Sequence, residues 1–189
     1  APSREMVLTL AAALMMPLRE QNLLLNAAGF RTLAINFRGR GQSTLAPGDP
    51  SPAQRDGLYP VRFSPHYRAV LAAVEFLRVQ GCDRIAVVGG GIGGGAPATA
   101  ATMARNGELS GVILLAATPI ETIAKAKGAK LFVTTKGDNL RAITRQYEQA
   151  TQPKEMLVLP GSAHEQHIFK TQQSDALGEA ISASLQSVE

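Results

Sequence analysis

The sequence of 189 residues predicts an α/β fold, a three-layer sandwich with a mostly parallel sheet of about six strands between helices. Three observations carry this. Short runs rich in β-branched residues and leucine alternate with stretches of helical periodicity along the chain. The strand candidates are continuously apolar rather than alternating, as strands buried on both faces are. A glycine-rich turn, residues 89–95, joins one such strand to an alanine-rich helix.

The elements follow in order. Residues 7–10 form the first candidate strand. A helix is expected over 17–28, with Pro17 in its first turn and Gly29 past its end. Residues 32–36 read as the second strand. The clearest helix spans 65–80: Ser64 can cap it, Pro65 suits its first position and Gly81 can end it. Tyr67, Val70, Leu71, Val74 and Leu77 fall on one face of it. Then come a strand over 85–88, a helix over 93–106, and strands over 111–117 and 130–135. A helix over 139–150, marked by Leu140, Ile143 and Tyr147, precedes a strand over 156–159. Leu177, Ile181 and Leu185 mark the last helix. No repeat or dividing linker appears, so residues 1–189 are expected to form one domain. The one long irregular stretch, 42–64, is rich in Pro, Gly and Ser.

Composition bounds the function. Hydrophobic residues make up 45% and charged residues 18%, an ordinary globular balance. A net charge of +4 is too mild to argue for nucleic acid. Arg38, Arg40, Arg55 and Arg62 gather without interleaved aromatic residues, and read as a solvated surface. Cys82 is the only cysteine, which excludes an internal disulfide and a cysteine metal cluster and leans towards a reducing compartment. No apolar run reaches membrane-spanning length. A soluble protein is expected, cytoplasmic or exported with its signal already removed, since the chain opens on Ala1-Pro2.

Residues 84–96 read R-I-A-V-V-G-G-G-I-G-G-G-A, which admits two readings. Gly89, Gly91 and Gly94 satisfy the dinucleotide fingerprint G-x-G-x-x-G. That site also needs an acidic residue at the end of the next strand. Here that strand runs out as Ala116-Ala117-Thr118-Pro119. Residues 89–93 alternatively fit the frame of a nucleophile elbow, G-x-S-x-G, with Gly91 at the nucleophile position.

Three further pieces stand in order around this frame. Asn36-Phe37-Arg38-Gly39-Arg40-Gly41-Gln42-Ser43 follows the second strand, Thr135-Lys136-Gly137-Asp138 follows the fifth, and Leu159-Pro160-Gly161-Ser162-Ala163-His164 follows the sixth. Together they resemble the α/β-hydrolase superfamily, as found in serine esterases and dienelactone hydrolases. Asn36 stands where that family usually has Asp. The resemblance implies an α/β-hydrolase fold lacking the first strands and a large cap, and hydrolysis of carboxylic esters or related acyl bonds. It implies Asp138 as the acid and His164 as the base, in the family's chain order. Asp138 can also cap the helix after it, and His164 taken alone is a surface loop histidine. His167 is the rival base, and His66 has a structural place at a helix start. The partner expected is a small-molecule ester or acyl compound, not nucleic acid. No cofactor and no metal are called for, and the sequence carries no signal of oligomeric state.

The departures from the family decide what the chain can do. Gly91 has no oxygen to attack a carbonyl, so an acyl-enzyme cannot form there. Ser43 and Ser162 are off the elbow, where misplacement by about 1 Å costs around 10²-fold. One oxyanion donor is expected from the N–H of Ile92 and the other from Ala11 or Ala12. The loop there is apolar and short (Ala11-Ala12-Ala13-Leu14-Met15-Met16), and a lost donor costs roughly 3–4 kcal/mol. Met15, Met16, Ile92, Pro119 and Ile120 are candidates to line an open pocket for a small acyl group. Three explanations stand: a Ser→Gly form of a working hydrolase, a natural pseudoenzyme that binds a ligand or protein, or a nucleotide-binding turn. Asp138 and His164 favour the first two. Asn36 and the apolar loop favour the second over the first.

Overall fold

The computed structural model describes residues 7–11, 31–35, 37 and 66–187. Among the described residues six strands form one parallel sheet: β1 (Val7–Ala11), β2 (Arg31–Ile35), β3 (Ile85–Gly90), β4 (Gly111–Leu115), β5 (Ala129–Thr135) and β6 (Lys154–Leu159). Their spatial order is β2-β1-β3-β4-β5-β6, and every neighbouring pair is parallel. The chain steps outward from β1 to β2 and then returns to the other side of β1 with β3. The order therefore reverses between β1 and β3, and ligands of open α/β sheets bind beyond the carboxyl ends of the strands at such a point.

The described helices are α1 (Tyr67–Val79), α2 (Gly91–Met103), α3 (Leu140–Gln149) and α4 (Ser174–Gln186), with short 3₁₀ turns at Ile123–Lys125 and Glu165–Lys170. Side chains alternate across a strand, and the sheet's two faces build two cores. On one face Ile85, Val87, Val112, Leu114 and Phe132 pack with Val70 and Val74 of α1, the alanines of α2 and Ile143 of α3. On the other, Val88, Ile113, Leu115, Leu131 and Val133 pack with Ile168 and with Leu177, Ile181 and Leu185 of α4. This is the expected three-layer sandwich. β3 and β4 are buried throughout, as their unbroken apolar runs require.

Several boundaries differ from those read in the sequence. β4 stops at Leu115 rather than at residue 117: Ala116 still donates its N–H to Val133 O at 2.7 Å, but its φ of 45° turns the chain away from the strand direction. α2 begins at Gly91, directly on the end of β3, and ends at Met103 because Ala104 is extended. β6 starts two residues early, at Lys154. α1 begins at Tyr67, with His66 before it. The helix expected over 17–28, with Ser64, Pro65 and Asn36, lies outside the described residues. Among the described residues no helix is long and apolar enough to cross a membrane. Cys82 is buried in the core.

Candidate active site

The carboxyl ends of β3, β5 and β6 each deliver one part of the site. At β3 the chain turns from strand to helix without an intervening loop, and Gly91 takes φ +46° there. That left-handed conformation is strained for residues with a side chain, as at a nucleophile elbow. The neighbouring glycines serve close packing. A Cβ on Gly89 would strike the ring of Pro97, and one on Gly94 would strike Ala117, so both let α2 lie tight on the sheet.

The loops after β5 and β6 are held together beyond the ladder. The last paired residues are Thr135 and Leu159. Past them, Lys136 N–H donates to Leu159 O at 2.9 Å and Gly137 N–H to Gly161 O at 2.8 Å. The Thr135 hydroxyl donates to Ala163 O at 3.0 Å. Gly137 has no room for a Cβ, which would meet Ser162. This zipper fixes the two loops side by side. His164 Nδ1 comes to 2.7 Å from Asp138 Oδ2. Asp138 spends its carboxylate there. The cap position of α3 is Asn139, which makes no side-chain capping bond.

A residue that sequence reasoning passed over completes the group. Glu165 has φ 51°, and its side chain turns back so that Oε1 lies 3.0 Å from His164 Nε2. Its carboxylate fills the space that a Cβ on Gly91 would occupy. Glu165 is the more enclosed of the pair, with a side chain 14% exposed against 44% for His164. The imidazole thus has a carboxylate at each ring nitrogen. Burial pulls its pKa down, but the hydrogen bond and charge of Asp138 and the charge and pairing of Glu165 outweigh this and raise it.

The sign gives a testable pH dependence. A histidine raised above its unfolded value of about 6.5 stabilises the fold fully below that pH, and the contribution is lost as pH rises through the folded value. An NMR titration of the His164 ring is expected to show a midpoint above about 6.5 that falls on Asp138→Asn. A midpoint at or below the ordinary value would contradict this arrangement.

Solved structures share this architecture along their lengths. The monoacylglycerol lipase of Paleococcus ferrophilus superposes with a TM-score of 0.73 at 15% identity, over 100% of this chain and 96% of that one. Dienelactone hydrolase from Anabaena variabilis gives 0.73 at 16% identity, over 99% and 88%. The Pyrococcus furiosus esterase Pf2001 gives 0.68 at 14% identity, over 98% and 83%. The chain has the α/β-hydrolase fold. No protein-family model and no curated protein sequence matches it.

Within the hydrolase fold the remaining candidates fall as follows. Ile92 is the second residue of α2, in the turn whose N–H groups have no intrahelical acceptor. Ala11 ends β1, and since Leu10 pairs with Val88, it stands level with Gly89. Ala12, Met15, Met16 and Ser43 lie outside the described residues. Pro119 is half-buried. Ile120 is buried in the core on the α2 side of the sheet. The buried Gln146 side chain accepts from its N–H at 3.0 Å and donates to its carbonyl at 2.9 Å, which holds the backbone there. Ser162 and His167 are exposed, and neither shares the cluster. His66 stacks on Phe37 with ring centroids 4.5 Å apart. Among the described residues, no group of three or more His, Cys, Asp or Glu could hold a metal ion.

Proposed function

We propose that residues 1–189 form one hydrolase-fold domain whose parental chemistry is hydrolysis of carboxylic esters or related acyl bonds. In this chain the nucleophile's position holds Gly91, so it is inactive or very slow on such substrates. The observation that carries the reading is the 2.7 Å contact between His164 Nδ1 and Asp138 Oδ2 beside a glycine of φ +46° at the strand-to-helix turn. An oriented acid–base pair next to an elbow is what acyl transfer through an attacking hydroxyl requires. Without the hydroxyl the covalent route has no first step.

Between the two explanations for Gly91, Glu165 favours a natural pseudoenzyme that binds an ester-like or acyl ligand. A serine exchanged for glycine in a working enzyme would leave a small gap, whereas here a carboxylate takes up that space. The same carboxylate counts against the dinucleotide reading. A pyrophosphate would sit at the N-terminus of α2, where Glu165 already brings negative charge. Nor does β4 end in an acidic residue.

The test is hydrolysis of a short activated ester by the unmodified chain. The expected rate is indistinguishable from buffer. Turnover of about 1 s⁻¹ or more, ordinary for an enzyme, would overturn the reading. A parallel titration with NAD is expected to leave the melting temperature unchanged.

A further inference from the structure

We infer that Gly91 and Glu165 are a matched pair: the Glu165 carboxylate is the resident group of the vacated nucleophile position, and it locks the Asp138–His164 dyad against acyl chemistry. The inference rests on the parental chemistry proposed above and goes beyond it, because absence of a hydroxyl and presence of a blocking carboxylate are separate defects.

Three observations support the pair. First, a Cβ at position 91 would collide with Oε1 and Cδ of Glu165, so no residue with a side chain can stand at 91 while Glu165 keeps its place. Second, Glu165 adopts a left-handed backbone that residues other than glycine seldom take. Such a conformation persists where the surroundings over-determine it. Here the next residues anchor it, for Gln166 and Ile168 are both buried. A glutamate in an ordinary conformation after an exposed loop would point to water; this one is turned inward. Third, the carboxylate has favourable surroundings, with His164 Nε2 at 3.0 Å and the positive end of α2 beneath it.

Two consequences follow for chemistry. The carboxylate sits where an acyl carbon would have to approach, and its charge opposes the oxyanion of a tetrahedral intermediate. It also engages the ring nitrogen that would otherwise take a proton from water. The direct route, in which His164 activates water without an acyl-enzyme, is therefore closed as well.

Four proteins test this against p-nitrophenyl acetate: the unmodified chain, Gly91→Ser, Glu165→Ala and the double variant, each checked for folding by circular dichroism. The double variant alone is expected to hydrolyse the ester well, with a burst of acyl-enzyme, at least about tenfold faster than Gly91→Ser. If Gly91→Ser matches the double variant, the pair is overturned and the silenced-hydrolase reading stands. If the unmodified chain hydrolyses the ester and Glu165→Ala abolishes this, Glu165 is catalytic and the lock is likewise overturned. If the double variant folds but is inactive, the parental chemistry fails. The pair is then judged by the His164 ring titration in Glu165→Gln, which preserves shape. A fall in its midpoint supports the pair, and an unchanged midpoint overturns it.

Discussion

In the Gly91→Ser, Glu165→Ala protein, replacing His164 by alanine is expected to lower ester hydrolysis by about 10⁴-fold or more. The serine hydroxyl is a weak nucleophile at its own pKa and needs a base within hydrogen-bond reach. His164 is the described histidine whose ring faces that position, since His167 is exposed and His66 is stacked on Phe37. Asp138→Asn is expected to cost a similar factor by a different route. The Asn amide would donate to Nδ1, leave the proton on Nε2 and so present the wrong tautomer to the serine. Both losses should fall on kcat with little change in KM, because neither group binds the ground state. Steady-state kinetics read this directly. A loss of less than tenfold for either variant would mean that hydrolysis proceeds without the 2.7 Å pair.

Much of the fold was legible because its signals are local and repeated. The order of strands and helices follows from apolar runs and helical periodicity, and the parallel sheet follows from runs that stay apolar on both faces, as in β3 and β4. Asp138 and His164 could be brought together on paper because each follows a strand and the two strands are neighbours, here β5 and β6. Glu165 was not legible in the same way. A residue adjacent to His164 would ordinarily point elsewhere, and its φ of 51° accompanies the return of the carboxylate to Gly91. The sequence does place a glycine, Gly91, in the elbow-like frame and a carboxylate, Glu165, directly after His164. Under the pairing proposed above, each accounts for the other. The surroundings of Ile120 were hidden for a different reason. A Pro-Ile step after a strand resembles a pocket wall, but its backbone is bound by Gln146, which lies 26 residues further on and carries no local signal.

The largest effect on stability is expected from Phe132→Ala, a loss of about 3–5 kcal/mol. Phe132 lies in β5, between β4 and β6, and is 1% exposed. Its ring meets Tyr147 edge-on, with centroids 6.0 Å apart at 85°. Removing it opens a cavity between the sheet and α3 that the hydrogen-bonded ladder on either side cannot collapse to fill. Against a total stability of about 5–15 kcal/mol this is a large fraction. The melting temperature should drop by roughly 6–20 °C for a chain of this size. Urea unfolding is the direct measurement, with a lower midpoint and an unchanged slope. Phe76→Ala is the control: that side chain is 53% exposed, and the change is expected to stay within about 0.5 kcal/mol. Because β5 also leads into the loop that carries Asp138, the His164 titration in folded Phe132→Ala separates the two roles of the strand. The site is held by bonds between the loops at the carboxyl end, Lys136 to Leu159 and Gly137 to Gly161, which the substitution does not touch. The midpoint should therefore be unchanged in the folded variant even as its unfolding midpoint falls. A titration that moves together with stability would show instead that packing under β5 sets the geometry of the dyad.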